Sequence, residues 1–332
     1  MTQDRKAAIK KLKNLVISPK QEVESFRQKI EETFASSFIP CRVENNPREY
    51  GGVKCDVLVP EVYTSSRIVL YIHGGSFAAG SRESWRPFCA QLANASSCRV
   101  VVPEFRLPPS HPFPAGLDDV NAVFRMIYAE EEVNLRLSKK EGENSGNVEI
   151  VIASDSSGAS LAMALVFKLD EKYRKSVRDV VLLSPWLDLT DENPIAQSKK
   201  FKDEILSWEN VHRAVELYTY YSNVSNSLVS PLKAEAENFI NFPSVYIQIG
   251  EKEFFKAQSE LLKTRLTACG IECVIDECEN MMSMFQFADE YLSESHLAIE
   301  RLGKYICRRN GISEDEREER KKIMDINNIF QG

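Results

Sequence analysis

Residues 149–167 read "EIVIASDSSGASLAMALVF". An unbroken apolar run passes through "SDSSGAS" and re-emerges as a run of Leu, Ala and Met. The first half suits a strand covered on both faces, and the second a helix packed against it. The small residues between them are what a sharp strand-to-helix turn needs, because the helix must lie close to the strand. Ser156 stands at that turn, flanked by Ser154, Ser157, Gly158 and Ala159. The N–H of Ser157 is predicted to lie at the helix N-terminus, where an anion is favoured. A Ser-rich helix cap accounts for the same residues without any chemistry.

Outward from this stretch, apolar runs alternate with helical patterns. Strands are predicted at 41–46, 52–60, 67–73, 98–105, 148–154, 179–185, 244–250 and 271–278. Helices are predicted at 84–96, 115–132, 157–173, 208–221 and 256–269, after one or two amphipathic helices within 4–36. Alternation of this kind implies a mostly parallel sheet, with functional groups collected at the carboxyl ends of its strands.

The 332 residues carry a net charge of −7, which argues against a nucleic-acid partner; the basic stretch "RKAAIKKLK" (5–13) is too short to change that. No apolar run is long enough to span a membrane, and the basic N-terminus lacks the apolar core of a secretory signal. Eight cysteines in such a chain read as free thiols in a reducing compartment, so a cytoplasmic location is expected. Around Cys269, Cys273 and Cys278 the sequence reads as a helix end, a glycine cap and an alternating strand. Cys273 and Cys278 then face opposite ways, so neither a metal nor a cofactor is expected. The tail 313–332 is highly charged and reads as a solvated or frayed helix.

Three further segments follow strands. In "YIHGGSFAAGS" (71–81) a strand ends at His73, and Gly74, Gly75 and Ser76 follow. Such a loop is either a tight turn or a place where backbone N–H groups meet a developing oxyanion. "VVPEFRLPPSHPFPAGLDD" (101–119) and "LLSPWLDLT" (182–190) are proline-bearing loops with no chemistry of their own.

Taken together and in this order, the four segments resemble the hormone-sensitive-lipase family of α/β-hydrolases. The resemblance runs from about residue 40 to residue 308. It implies a three-layer α/β/α fold with a mostly parallel sheet of about eight strands, the second antiparallel. Helical caps are implied at 1–40 and about 195–225, around a hydrolase domain at 41–312. It implies carboxylesterase chemistry, with Ser156 as nucleophile and the N–H groups of Gly75, Ser76 and Ser157 as oxyanion donors. His73 and Gly74 shape the loop, and Glu253 in "IQIGEKEFF" falls on the acid that orients a histidine. The family's histidine follows the last strand, where this chain reads "ENMMSMFQF" (279–287) and places Ser283.

Serine is no base near neutral pH. Of the four histidines, His73 lies in the oxyanion loop, His111 in the proline-rich loop and His296 at the start of the last helix. His212, on a predicted cap helix, is the remaining substitute. Three readings follow: a hydrolase scaffold with weak or absent turnover that binds a small apolar or ester-like ligand; an esterase with a non-standard base; and a protein-interaction module. A homodimer is compatible with each. Between Glu253 and Ser283 a gap or an ordered water is expected.

Overall fold

A computed structural model describes residues 2–62, 67–137, 147–190 and 203–308. Two helices, α1 (Gln3–Lys13) and α2 (Val23–Phe34), precede the sheet. The strands are β1 (Val43–Asn45), β2 (Arg48–Tyr50), β3 (Val53–Pro60), β4 (Ile68–Ile72), β5 (Arg99–Pro103), β6 (Ile150–Asp155), β7 (Val177–Leu183), β8 (Ser244–Lys252) and β9 (Cys273–Met282). Between and after them lie α3 (Arg82–Ser96), α4 (Ala115–Leu137), α5 (Gly158–Lys168), α6 (Glu171–Arg174), α7 (Trp208–Tyr218), α8 (Lys256–Ala268) and α9 (Ser293–Cys307).

The sheet runs β1-β3-β5-β4-β6-β7-β8-β9, with β2 also on β3. From β5 to β9 every pairing is parallel, whereas β3 is antiparallel to its neighbours. The central strands β4 and β6 are buried throughout, as their continuous apolar runs require. This is the expected α/β architecture, with one correction: the described residues form nine strands, not eight. The extra strand is β2. It and β1 share one edge of β3, interrupted at Pro47, which has no N–H for the ladder.

Three helix ends also differ from the sequence pattern, the first being that the helix expected at 115–132 runs on to Leu137. The helix expected at 157–173 stops at Lys168, because Leu169 turns extended and Asp170 caps the separate α6. The helix expected to reach 221 ends at Tyr218, because Thr219 is extended. The tail 313–332 and residues 195–202 of the expected cap lie outside the described residues. No helix among the described residues is long and apolar enough to cross a membrane.

The contact that brings β4, β6 and α5 together is the absence of a side chain at Gly158. A Cβ there would lie 2.3 Å from the Ile72 carbonyl oxygen and 2.6 Å from that of His73. Backbone cannot yield as a flexible side chain can, so α5 would have to move. Gly158→Ala should therefore lose about 1–3 kcal/mol of stability, read as a lower urea midpoint at unchanged slope. An unshifted midpoint would show that α5 does not rest on the β4 backbone.

Candidate active site

β6 delivers Ser156 at its carboxyl end in a left-handed conformation, φ 44°, that few non-glycine residues adopt. The turn is held on both sides. The Ser156 N–H donates to the Leu183 carbonyl at 2.9 Å, and the Ser156 carbonyl accepts from Ala159 and Trp186 at 3.1 and 3.0 Å. Ser154, which stands where the family pattern has glycine, buries an Oγ with no hydrogen-bond partner.

The loop after β4 lies directly on this turn. Asp155 Oδ1 accepts from the Gly74 N–H (3.0 Å), the Tyr71 hydroxyl (2.9 Å) and Trp85 Nε1 (2.8 Å). A Cβ on Gly74 would fall 2.3 Å from Asp155 Oδ2 and 3.1 Å from the Ser156 Cβ, so only glycine fits. Gly75 has φ 99°, and its carbonyl closes the loop by accepting from Ala78 and Ala79. Ser76 and Phe77 are also left-handed, at 52° and 61°. For Ser76 this is a strained position, on the order of 1 kcal/mol. The N–H of Phe77 donates to Ser157 Oγ at 3.0 Å. The N–H groups of Gly75, Ser76 and Ser157 have no acceptor among the described residues, which leaves three donors able to take an anion.

The other half of the site forms where β7, β8 and β9 end. Asp155 pairs with Leu183 across β6 and β7, so Ser156 and Ser184 leave the sheet side by side. Lys252 pairs with Met282 across β8 and β9, which places Glu253 and Ser283 next to each other. Glu253 is 2% exposed, and its Oε1 accepts from the Gly250 N–H (2.7 Å) and the Ser184 hydroxyl (2.6 Å). Burial pushes this carboxyl well above the usual range, and the neighbouring Asp203 charge adds to the effect.

The neighbourhood of Glu253 and Ser283 holds a group that the sequence pattern does not predict. Asp203 occupies that neighbourhood. The Ser283 hydroxyl donates to Asp203 Oδ2 at 2.6 Å, and the N–H of Phe254 donates to the same oxygen at 2.7 Å. Oδ1 accepts from Ile205 and Leu206, closing a local turn. Burial raises the Asp203 carboxyl above its ordinary range, although four donors oppose the rise. Nothing in "KDEILSW" (202–208) marks this aspartate as special; its role depends wholly on where the chain folds back.

No histidine among the described residues hydrogen-bonds to Ser156, Glu253 or Ser283. His73 is 2% exposed, stacked on Phe105 at 4.3 Å, and its Nδ1–H donates to the Gly74 carbonyl. Burial pulls its pKa down to about 4, so the ring is neutral and structural. His111 is exposed on the wall of a cleft that Ser157 also lines, His212 is exposed against Trp208, and exposed His296 lies 3.6 Å from Glu300. No side chain among the described residues hydrogen-bonds to Ser156 Oγ.

The N-terminal segment reaches the same loops. The Ile17 N–H donates to Ser76 Oγ at 3.3 Å, and the Ile17 carbonyl accepts from Asn210 of α7 at 2.8 Å. Arg27 of α2 donates to the carbonyls of Ala78 and Pro108, at 3.0 and 2.9 Å.

A family profile described as the α/β hydrolase fold matches residues 69–287. An acetyl-hydrolase of Streptomyces hygroscopicus is 28% identical over 240 residues, covering 72% of this chain and 75% of its own. Arylacetamide deacetylase-like 2 of Homo sapiens is 27% identical over 275 residues, covering 65% and 67%. Among solved structures, an esterase from the bacterial hormone-sensitive lipase family is similar in fold. The TM-score is 0.78 at 24% identity, over 94% of this chain and 99% of that one.

Asp155 gives the site a pH signature. Burial pushes its carboxyl up to about 7 from 3.8, against the pull of its three donors. Between those values the folded protein holds more protons than the unfolded chain. The contribution is therefore fully present below about 3.8 and is lost as pH rises through 7. Asp155→Asn keeps the accepting oxygen and removes the titration. The variant should gain stability relative to the parent between pH 4 and 7, by roughly 2–4 kcal/mol. Urea midpoints at the two pH values measure this, and His73 cancels because both proteins carry it. A constant difference would mean that Asp155 stays ionised throughout.

Proposed function

We propose, from the premise that this chain belongs to the α/β-hydrolase fold family, that it is a carboxylesterase-type scaffold that binds acyl groups but turns them over weakly or not at all. In this reading Ser156 is the nucleophile, and the N–H groups of Gly75, Ser76 and Ser157 receive the oxyanion. Glu253 stands where an acid would orient an imidazole, and the imidazole's position is Ser283. The helices of 1–40 and the segment before and through α7 act as the cap, and the ligand is small and apolar or ester-like. Cysteines that form no disulfide among the described residues suit a reducing, cytoplasmic setting.

One observation carries the reading: the Ser283 hydroxyl is committed to Asp203. A serine in that place cannot take the Ser156 proton and cannot become the cation a carboxylate would stabilise. Loss of the histidine from a serine-hydrolase triad lowers turnover by roughly 10⁶. Oxyanion donors and binding alone retain about 10³–10⁴ over water. An active esterase is the competing reading, and Asp203 is its one specific support. Its raised carboxyl, joined to Ser283, is a proton acceptor at the edge of the site.

Restoring the base separates the two. Ser283→His, alone and with Asp203→Ala to release the position, should raise hydrolysis of p-nitrophenyl acetate and butyrate by roughly 10²–10³. Adding Ser156→Ala should remove the gain. No gain in either folded variant would count against the assignment of position 283. Asp203→Asn should leave the basal rate of the parent unchanged; a collapse of that rate would favour the active esterase.

A further inference from the structure

The described residues include five buried tyrosines: Tyr50, Tyr71, Tyr218, Tyr246 and Tyr305. Four give their hydroxyl to a carboxylate: Tyr50 to Glu130 (2.8 Å), Tyr71 to Asp155 (2.9 Å), Tyr246 to Asp276 (2.6 Å) and Tyr305 to Asp179 (3.1 Å). Tyr218 is the exception. It is 5% exposed, yet its hydroxyl has no hydrogen-bond partner among the described residues. The hydroxyl oxygen is not enclosed, so in the free protein it keeps access to solvent, and an apolar ligand that covered it would leave it unmatched at a cost of about 1–3 kcal/mol.

Its ring is nonetheless firmly placed. It stacks on Phe77 of the Gly74–Gly75 loop at 4.0 Å and 15°, with Phe113 edge-on at 6.0 Å. The Tyr218 carbonyl accepts the Phe113 N–H at 3.1 Å, which joins the end of α7 to the proline-rich loop. Tyr218 lines a cleft beside Ser157 whose other walls include Phe77, Phe105, Leu107, Phe113 and Leu161. Arg106, also on the wall, is taken up by both carboxylate oxygens of Asp119. The cleft therefore offers mainly apolar surface, the Tyr218 hydroxyl and the exposed ring of His111, while the Arg106 guanidinium is already paired with Asp119. With only about 10 Å³ open to a water-sized body, it admits a ligand only if the walls part.

We propose that Tyr218 is a specificity-determining donor, and that the cleft selects neutral, mainly apolar esters carrying a second, uncharged oxygen acceptor. The assignment rests on the reading of Ser156 as the acyl-binding centre. The acceptor is a ketone or ether oxygen lying a few bonds from the reacting carbonyl, where it meets the Tyr218 hydroxyl. Purely hydrocarbon esters fit the same walls but leave that hydroxyl unmatched. A donor that the ligand itself covers discriminates against the ligand that cannot satisfy it.

Binding without turnover tests this. Dissociation constants are measured by NMR titration in the Ser156→Ala protein, with and without Tyr218→Phe. Two ester pairs of matched shape are used. Ethyl 4-oxopentanoate against ethyl 4-methylpentanoate places the acceptor on the acyl side; 2-methoxyethyl butyrate against butyl butyrate places it on the alcohol side. In at least one pair the oxygen-bearing ester should bind roughly three- to tenfold tighter, and Tyr218→Phe should erase that preference. The hydrocarbon esters, whose affinity Tyr218→Phe should not change, control for folding of the variant. Saturable binding of the esters with no preference in either pair, or a preference that survives Tyr218→Phe, overturns the Tyr218 assignment alone. If no ester of either pair binds, the reading of Ser156 as an acyl-binding centre fails as well.

Discussion

A single buried carboxylate holds the catalytic edge of this protein together. Asp155 Oδ1 accepts from Tyr71 on β4, from the backbone of Gly74 and from Trp85 on α3. The next residue is Ser156. Strand, loop, helix and nucleophile-like serine are thus fixed by one oxygen, in a site that excludes water. An acceptor so placed is costly to desolvate, and the raised Asp155 carboxyl records that cost. Removing it would strand three buried donors at once, each worth about 1–3 kcal/mol when unmatched. The loop geometry that leaves the Gly75, Ser76 and Ser157 N–H groups unpaired depends on this anchor.

Two of the three serines that depart from the family pattern have a common structural use. Ser76 stands where the third loop glycine is expected, and its hydroxyl accepts from Ile17. Ser283 stands where the histidine is expected, and its hydroxyl donates to Asp203. Each ties the sheet edge to a segment from elsewhere in the chain. Ile17 and Asn210 then connect the N-terminal segment with α7. The hydroxyls of Ser76 and Ser283 are engaged in these bonds, whereas Ser156 Oγ and the Gly75, Ser76 and Ser157 N–H groups are not. Beside Glu253, Asp203 provides a partner for Ser283 and for the Phe254 N–H.

Much of this was legible in the sequence for physical reasons. Strands buried on both faces must be apolar throughout, so β4, β6 and β7 announce themselves. The turn at Ser156 requires small residues, and "SDSSGAS" supplies them. Where pairing is tight and local, sequence pattern is a faithful guide; β2 escaped notice because a three-residue edge strand beside Pro47 carries no periodic signal. The positions of Glu253 and Ser283 followed from the family resemblance, and their adjacency follows from the register of β8 and β9. Asp203 and Tyr218 were out of reach. One acts through contacts made some 50 and 80 residues away in sequence. The other stands out only when its unmatched hydroxyl is compared with its buried counterparts.

The central claim is that the geometry for holding an acyl group persists while the means of taking the serine proton is gone. Steady-state hydrolysis of p-nitrophenyl acetate at pH 7 by the unmodified protein, beside Ser156→Ala, tests it most directly. The account predicts turnover far below roughly 1 s⁻¹, close to that of the serine-free control. Turnover at or above roughly 1 s⁻¹ that disappears in Ser156→Ala would contradict it, and would require a base other than the histidine this chain lacks.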